Sequence, residues 1–224
     1  MKKHRRRRVL PKLFLLLVIF LALHHWLAAD RVTISPPATA PAAAESSQPW
    51  NLTLVNQSHG LPEGYRFTLK NVRGVPVDRR IAEPLKDMLH DAEAAGYTLW
   101  LNAGYRTAEE QQALFDDKVA AFCASGYDDT TARTLALQWV SLPGTSEHEL
   151  GIAVDIGTDN TALYDWLAAN SWRYGFIQRY PPSKTSITGV SHEPWHYRYV
   201  GEDTAATMTA GGLCLEEYLT QQTG

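Results

Sequence analysis

The chain has 224 residues, of which 45% are hydrophobic and 20% are charged, and its formal net charge is -3. This composition excludes an intrinsically disordered chain, and two cysteines are too few for a disulfide-rich scaffold, a zinc ribbon or an iron–sulfur cluster. A metal site in this chain would therefore use histidine and carboxylate ligands.

Basic residues are concentrated at the N-terminus. Seven of the 21 lysines and arginines lie in the first twelve residues, which contain no aspartate or glutamate. The rest of the chain carries 14 basic and 24 acidic residues, a formal charge of -10. A domain of this charge lacks the basic face that nucleic-acid binding needs, so we expect no nucleic-acid partner.

An apolar segment follows the basic cluster. Residues 13–23 read LFLLLVIFLAL, and the small residues Ala28 and Ala29 come shortly after. This order is typical of export signals, and extension of the predicted hydrophobic helix through Trp26 gives about 17 residues, the lower limit for a helix that spans a membrane. We interpret residues 1–29 as a signal anchor or a signal peptide. Either one exports the rest of the chain. An uncleaved leader would anchor the chain to the inner (cytoplasmic) membrane with its C-terminal part in the periplasm or outside the cell, whereas a cleaved leader would release the chain as a secreted protein.

The remaining chain divides into a linker and a domain. Residues 30–49 are rich in alanine, proline and serine, which predicts a semi-rigid linker. Residues 50–224 number about 175, a common size for a single domain. Its two cysteines, Cys123 and Cys214, would lie outside the cytoplasm, where they could form a disulfide.

Helical periodicity marks the first element of the domain. Ile81, Leu85, Leu89 and Ala92 recur at three- and four-residue spacing, and Gly96 suits the end of a helix. The pattern predicts an amphipathic helix.

A strand and two helices are predicted next. Residues 97–102 are typical of a strand, which would hold Arg106 near its tip. Thr107 and Glu110 have the spacing of a capping box at the start of a second helix, and a third helix is predicted over about residues 130–140. The buried face of the second helix is predicted to carry Leu114, Phe115, Val119 and Phe122.

Alternation of apolar residues predicts a half-buried strand around Asp155. Ile152, Val154 and Ile156 would share its buried face. On the other face, Gly151 and Ala153 lack bulk, which would leave room beside the Asp155 carboxylate.

The later elements decide the fold class. A helix is predicted over residues 160–170, and strands over residues 175–180 and 195–200. Helices and strands do not alternate regularly, and no glycine-rich phosphate loop is present in the sequence. We therefore predict an α+β fold, a small and mostly antiparallel sheet flanked by helices, preceded by the N-terminal hydrophobic helix.

Two motifs bring metal-ligand residues together in the sequence. His148 and Asp155 belong to the pattern S-x-H-x-x-G-x-A-x-D, and His196 ends the sequence E-P-W-H. Zinc hydrolases commonly use three such ligands and leave a fourth position for water. Glu193 could then accept a proton from that water, provided that Pro194 lies in a turn or bulge that brings Glu193 and His196 to the same side. From the residues alone, two interpretations of these side chains remain equally open: they form a metal site, or they are ordinary polar residues without a ligand. The residues alone indicate no substrate.

The chain also resembles a known family, the VanY-type D-alanyl-D-alanine carboxypeptidases, zinc peptidases that include the vancomycin-resistance D,D-dipeptidase. The resemblance covers most of residues 50–220 and rests on six segments: LVNQSHGLPEGY, DRRIAEPLKDML, NAGYRTAEEQQALF, LPGTSEHELGIAVDI, YGFIQRYP and ITGVSHEPWHYRYVG. It implies a Hedgehog/D,D-peptidase-like fold and one Zn²⁺ per chain.

The resemblance also assigns roles to single residues. It implies that the zinc ligands are His148, Asp155 and His196. It makes Glu193 the catalytic base and Arg106 the residue that stabilises the developing oxyanion, while Ser146 and Gln111 would bind substrate.

The activity that the resemblance implies is removal of the terminal D-Ala from peptidoglycan stem peptides ending in D-Ala-D-Ala. Two alternatives keep the zinc site: an L,D-carboxypeptidase and a peptidoglycan endopeptidase. A third alternative is a non-catalytic module that binds the cell wall. The other expected partner is the membrane, contacted through the N-terminal helix.

Overall fold

The structure, a computed structural model, describes residues 49–222. The predicted leader over residues 1–29 and nearly all of the predicted linker lie outside the described residues. Within the part of the chain that is described, no helix combines the length and apolar character needed to cross a membrane.

Strands and helices are interleaved along the described chain. The strands are β1 (Leu69–Val72), β2 (Val75–Asp78), β3 (Trp100–Ala103), β4 (Ala153–Gly157), β5 (Phe176–Gln178) and β6 (His196–Tyr199). The helices are α1 (Ala82–Ala94), α2 (Ala108–Ala124), α3 (Asp129–Ala136), α4 (Ala162–Asn170), α5 (Thr185–Thr188), α6 (Glu202–Gly211) and α7 (Leu215–Gln222).

A four-stranded sheet forms the centre of the fold. Its strand order is β3-β4-β6-β5, and every neighbouring pair is antiparallel. The α+β fold with an antiparallel sheet is therefore confirmed. The register pairs Asp155 of β4 with His196 of β6 and with Ala103 at the end of β3. This pairing brings two of the predicted ligands onto adjacent strands.

A second, two-stranded sheet was not predicted. β1 and β2 form a hairpin whose turn residues, Arg73 and Gly74, both have positive φ. The hairpin packs beside β3: the Tyr105 amide donates to the Pro76 carbonyl at 2.7 Å, and a Cβ atom on Gly104 would overlap the same carbonyl oxygen. Glycine at position 104 therefore lets the hairpin approach the end of β3.

The first predicted helix forms as α1, after a single 3₁₀ turn over Arg79–Ile81. Leu85, Leu89 and Ala92 are fully buried, and Gly96 has a φ of 94°, as a residue that ends a helix requires. The periodicity was therefore a reliable guide to both the buried face and the end of this helix.

The second helix, α2, begins with the predicted capping box. The Glu110 amide donates to the Thr107 hydroxyl at 3.2 Å, and the Thr107 amide donates to the Glu110 carboxylate at 2.8 Å. Phe115 is buried, but Leu114 is 40% exposed, so its predicted burial is wrong. Leu114 instead lies on the helix face that lines a cavity.

Two further boundaries differ from the predictions. The third helix, α3, ends at Ala136 rather than near residue 140, because the chain turns there and the Trp139 amide donates to the Ala136 carbonyl. β3 begins at Trp100, three residues later than predicted.

Gly151 does not belong to the strand as predicted. It precedes β4 with a φ of 71° and ends the short 3₁₀ turn Glu147–Leu150. A Cβ atom on Gly151 would lie 3.1 Å from the Phe67 ring and 3.2 Å from the Asp78 amide. The prediction that Gly151 clears space beside Asp155 is therefore wrong, and glycine is needed for the left-handed turn and the close approach of Phe67.

The two cysteines remain separate. Cys123 is an exposed free thiol on α2, whereas Cys214 is a buried free thiol just before α7. The disulfide considered from the sequence is therefore not formed.

Candidate metal centre

Three side chains predicted to bind metal converge at the middle of the sheet. His148 comes from the turn before β4, Asp155 from β4 and His196 from β6. One potential ligand atom from each lies within 4.8 Å of the others. His148 Nε2 lies 3.4 Å from Asp155 Oδ2, and His196 Nδ1 lies 3.0 Å from Asp155 Oδ1. The fold thus gathers residues separated by 41 and 48 positions along the chain around one point.

Hydrogen bonds indicate which nitrogen of each histidine faces this point. His148 Nδ1 lies 2.7 Å from the Gly104 carbonyl oxygen, which can only accept, so Nδ1 carries the proton and Nε2 has a free lone pair. His196 Nε2 lies 3.5 Å from Glu147 Oε2 and leaves Nδ1 turned to Asp155. Two imidazole lone pairs and a carboxylate are the donor set that zinc accepts.

The electrostatics of the three side chains favour a cation. Burial alone would lower the pKa of His196, but Asp155, Glu147 and Glu193 outweigh it and raise that pKa to about 9. Burial likewise opposes ionisation of Asp155, yet the two histidines hold its pKa far below the ordinary value. Because the surrounding carboxylates already stabilise positive charge here, a divalent cation can take the place of the proton.

Glu193 lies beside the three side chains, as predicted. Pro194 is in a turn closed by a 3.2 Å hydrogen bond from the His196 amide to the Glu193 carbonyl, which confirms the predicted turn. Glu193 Oε2 lies 4.0 Å from His196 Nδ1. Burial and the charge of Asp155 raise the pKa of Glu193 to about 7, against opposing contributions from His196 and Arg106. A carboxyl group in this environment is suited to exchanging protons.

Arg106 extends from the end of β3 towards the same carboxylate. Its Nη2 lies 3.2 Å from Asp155 Oδ2, and its Nη1 donates to Gln111 Oε1 at 2.9 Å. Gln111 is buried, and its amide nitrogen donates to the Ser141 carbonyl at 2.7 Å. Gln111 therefore holds the Arg106 guanidinium in place, and further guanidinium N–H groups remain for a bound molecule.

Ser146 begins the turn that carries His148. Its hydroxyl accepts a hydrogen bond from the His148 amide at 3.3 Å, and its own amide donates to Glu149 Oε2 at 3.2 Å. Ser146 is buried and also lines the cavity described next. The structure therefore brings all seven predicted site residues to one region of the molecule.

A cavity of about 530 Å³ opens beside these side chains. One of its walls is a face of α2 that carries Gln111, Leu114 and Lys118. The Lys118 ammonium lies 5.6 Å from the centre of the Trp139 ring. Other lining residues not predicted from the sequence include Asp117, Val140, Tyr180 and Val190. The cavity has the size of a small-ligand or peptide site and mixes apolar surface with charged groups.

A buried ionic network beneath the site was also not predicted. Glu147 Oε1 accepts hydrogen bonds from Arg179 Nε at 2.8 Å and Arg198 Nη1 at 2.7 Å. Arg179 also donates to both carboxylate oxygens of Glu216 on α7, at 2.9 and 2.6 Å. Both arginines are fully buried, and Glu147 is 2% exposed. One signal was available in the sequence: Glu147 directly precedes the predicted ligand His148.

Comparisons with known proteins agree with this fold. A protein-family model described as VanY, D-alanyl-D-alanine carboxypeptidase, matches residues 75–202. A D-alanyl-D-alanine carboxypeptidase of Enterococcus faecalis is 49% identical over 178 residues, a match that covers 77% of this chain and 66% of the relative. The chain thus spans just under two thirds of the length of that relative.

Solved structures show the same similarity. VanYB in complex with D-alanine-D-alanine has a TM-score of 0.75 and 48% identity, and the match covers 77% of this chain and 98% of that one. A mutant of the vancomycin-resistance D,D-pentapeptidase VanY, from a VanB-type resistance cassette, was solved in complex with Zn(II). It has a TM-score of 0.74 and 48% identity, covering 76% of this chain and 99% of that one.

Proposed function

We propose, because this chain belongs to the VanY family of D-alanyl-D-alanine carboxypeptidases, that it hydrolyses the last peptide bond of peptidoglycan stem peptides ending in D-Ala-D-Ala. The products are free D-Ala and a stem peptide shortened by one residue. The observation that carries this proposal is the convergence of His148, Asp155 and His196 on the wall of a cavity that Glu193 and Arg106 also line.

The three convergent side chains would hold one Zn²⁺, the ion found in a solved VanY relative. When bound, zinc supplies Lewis acidity, which polarises a carbonyl group and lowers the pKa of water. The chemistry of the donor set supports this choice, since two neutral imidazoles and one carboxylate leave a position open.

Glu193 is proposed as the catalytic base and acid. Its carboxylate accepts a proton from the attacking water while the water oxygen bonds to the carbonyl carbon of the penultimate residue. The same carboxyl group then returns the proton to the nitrogen of the terminal D-Ala as the peptide bond breaks, so protons and charge balance. Burial of Glu193 at the cavity wall supports this role, since a shielded carboxyl group exchanges protons with the substrate rather than with bulk water.

Arg106 is proposed to stabilise the oxyanion of the tetrahedral intermediate. Its guanidinium is held by Asp155 and Gln111, which reduces the reorganisation needed when negative charge develops on the carbonyl oxygen. Ser146 and Gln111 are proposed to contact the substrate, and both line the cavity. Gln111 would act in part through its bond to Arg106.

We further propose that the catalytic domain acts outside the cytoplasm. The basic and apolar order of residues 1–29 supports export, followed by anchoring to the cytoplasmic membrane or by secretion. Fractionation of cells that express the full chain tests this point: recovery of the protein in the cytosol would contradict it.

The experiment that tests the activity compares stem peptides of defined length. Purified full-length protein is incubated with a pentapeptide ending in D-Ala-D-Ala, a tetrapeptide ending in a single D-Ala and a cross-linked dimer, and products are identified by mass spectrometry. We expect loss of one D-Ala from the pentapeptide at the highest rate. Faster cleavage of the tetrapeptide would indicate an L,D-carboxypeptidase, and faster cleavage of the dimer an endopeptidase.

A pair of variants separates catalysis from binding in the same assay. Glu193→Ala should keep bound zinc and lose hydrolysis, whereas Glu109→Ala, at an exposed position in the first turn of α2, should retain wild-type turnover. If the wild-type protein binds stem peptides and cleaves none of them, the chain is a cell-wall-binding module rather than an enzyme.

A further inference from the structure

We propose that Glu147 is a positioning residue for the metal centre. Its carboxylate would fix the ring of His196 so that Nδ1, and not Nε2, is presented beside His148 and Asp155. This inference rests on the metal site of the proposed function, and it concerns a residue outside the three candidate ligands.

The two oxygens of Glu147 have different partners. Both arginines donate to Oε1, Arg179 at 2.8 Å and Arg198 at 2.7 Å. Oε2 faces His196 Nε2 at a distance of 3.5 Å. The arginines therefore fix the plane of the carboxylate and turn its second oxygen to the histidine.

A carboxylate at this position determines which tautomer of His196 is favoured. Oε2 can only accept a hydrogen bond, so it stabilises the tautomer that carries its proton on Nε2. The lone pair is then on Nδ1, which faces Asp155. Carboxylates that accept from the outer nitrogen of a ligating histidine also make the ligating nitrogen more basic.

The network around Glu147 is not explained by stability alone. Buried ion pairs often contribute no more stability than apolar side chains of similar volume, because desolvation offsets the attraction between the charges. This network nevertheless occupies the space beside a candidate metal ligand, and it includes two fully buried arginines. Orientation of the His196 ring by Glu147 would explain why charged side chains, rather than apolar ones, are buried at this position.

Distant segments of the chain hold the network in place. Arg179 is anchored by Glu216 on α7, and Arg198 donates to the backbone carbonyls of Asn51 and Thr53. Glu147 is also the immediate neighbour of His148, whose carbonyl accepts from the Arg106 amide at 3.2 Å. The same turn therefore presents one candidate ligand and orients another.

Replacing Glu147 by glutamine tests the proposal sharply. The two arginine donors require the amide oxygen at the Oε1 position, which leaves the amide NH₂ facing His196 Nε2. Two donors then oppose each other, and relief of this clash favours the His196 tautomer with its proton on Nδ1. The lone pair of that tautomer lies on Nε2, which faces residue 147, so the nitrogen beside Asp155 can no longer bind a metal. We expect the zinc affinity of Glu147→Gln, measured by competition with a chromophoric chelator, to fall by about 10- to 100-fold.

Glu216→Gln is the matched control. It removes a carboxylate from Arg179 in the same network but leaves the contact between Glu147 and His196 unchanged. Both variants should unfold at lower temperature than wild type, so zinc affinity is measured below both transitions, with folding verified by circular dichroism. Because Glu216 contacts Arg179 and none of the candidate ligands, we expect the zinc affinity of Glu216→Gln to stay close to that of wild type, without the loss of about 10- to 100-fold expected when a partner of a ligating histidine is removed. Equal losses in the two variants would mean that the network acts only through stability, and would overturn the proposal.

A measurement on the unaltered protein covers the case in which Glu147→Gln does not fold. In zinc-loaded, ¹⁵N-labelled wild-type protein, the ring N–H of His196 should give a slowly exchanging, downfield NMR signal assigned to Nε2. A signal assigned to Nδ1, or wild-type zinc affinity in folded Glu147→Gln, would refute the inference. Neither readout depends on hydrolysis, so failure of the wild-type protein to release D-Ala would contradict the proposed function and leave this inference standing.

Discussion

Arg106→Lys should slow hydrolysis strongly while leaving the metal site filled. Lysine keeps a positive charge near Asp155 but replaces a planar group with several donors by a single ammonium. In the structure, the guanidinium bonds Asp155 and Gln111 at the same time, at 3.2 and 2.9 Å. One ammonium on a flexible stem is poorly suited to keep both contacts and also face an oxyanion in the cavity.

The magnitude follows from the donors that are lost. Removal of one preorganised oxyanion donor lowers kcat by about 10²- to 10³-fold, or about 2.7–4 kcal/mol. The Gln111 carbonyl oxygen, which is buried, would also lose its donor, and an unsatisfied buried acceptor costs about 1–3 kcal/mol of stability. We therefore expect both a slower enzyme and a lower melting temperature.

The assay is steady-state release of D-Ala from the pentapeptide, with zinc content measured on the same samples. Arg133→Lys is the control, because it makes the same change in an exposed ion pair with Asp129 on α3. It should change neither kcat nor zinc content. If Arg106→Lys keeps kcat within threefold of wild type, or raises KM alone, Arg106 binds the ground state and the oxyanion role is refuted.

Three other outcomes are expected. Glu216→Gln should lower the free energy of unfolding at pH 7, measured with urea. Burial opposes ionisation of Glu216, but Arg179 outweighs it and lowers the pKa, so the stabilisation is full above the ordinary value of 4.5 and disappears as the pH falls below it. A difference between the two proteins that does not shrink at low pH would contradict this. Gly104→Ala should lower both the melting temperature and zinc affinity, because its Cβ would displace the hairpin and the carbonyl that orients His148; unchanged values for both would disprove that role. A thiol reagent should modify Cys123 rapidly and Cys214 only on unfolding, since Cys214 is buried and its burial raises the pKa of its thiol to about 11. Rapid modification of Cys214 in the folded protein would contradict this, and the absence of any reactive thiol in unfolded, non-reduced protein would reveal a disulfide.

Local patterns predicted the parts of the fold that local interactions determine. The capping box at Thr107 and the buried face of α1 depend on residues three or four positions apart, and both formed as predicted. Leu114 shows the limit of this reasoning: the same periodicity that buries Phe115 leaves Leu114 exposed on the cavity wall. A helix face that lines a cavity has the same hydrophobic pattern as one that packs against a core.

The candidate metal site could be predicted because its residues stand in two recognisable motifs. The partners that hold those residues could not, since they come from distant segments. In the sequence, Arg179 and Arg198 cannot be distinguished from arginines on the surface. Only the tertiary structure shows that they are buried against Glu147. The Gly104 carbonyl, which orients His148, is a backbone group and carries no side-chain signal.

The most direct test of the metal-dependent mechanism is a zinc titration of activity. Metal-free full-length protein receives increasing zinc, and D-Ala release from the pentapeptide is measured after each addition. We predict that activity starts near zero and reaches its plateau at one zinc per chain, and that Asp155→Ala gives no recovery over the same range. Full activity in the metal-free protein, or in Asp155→Ala, would contradict the account.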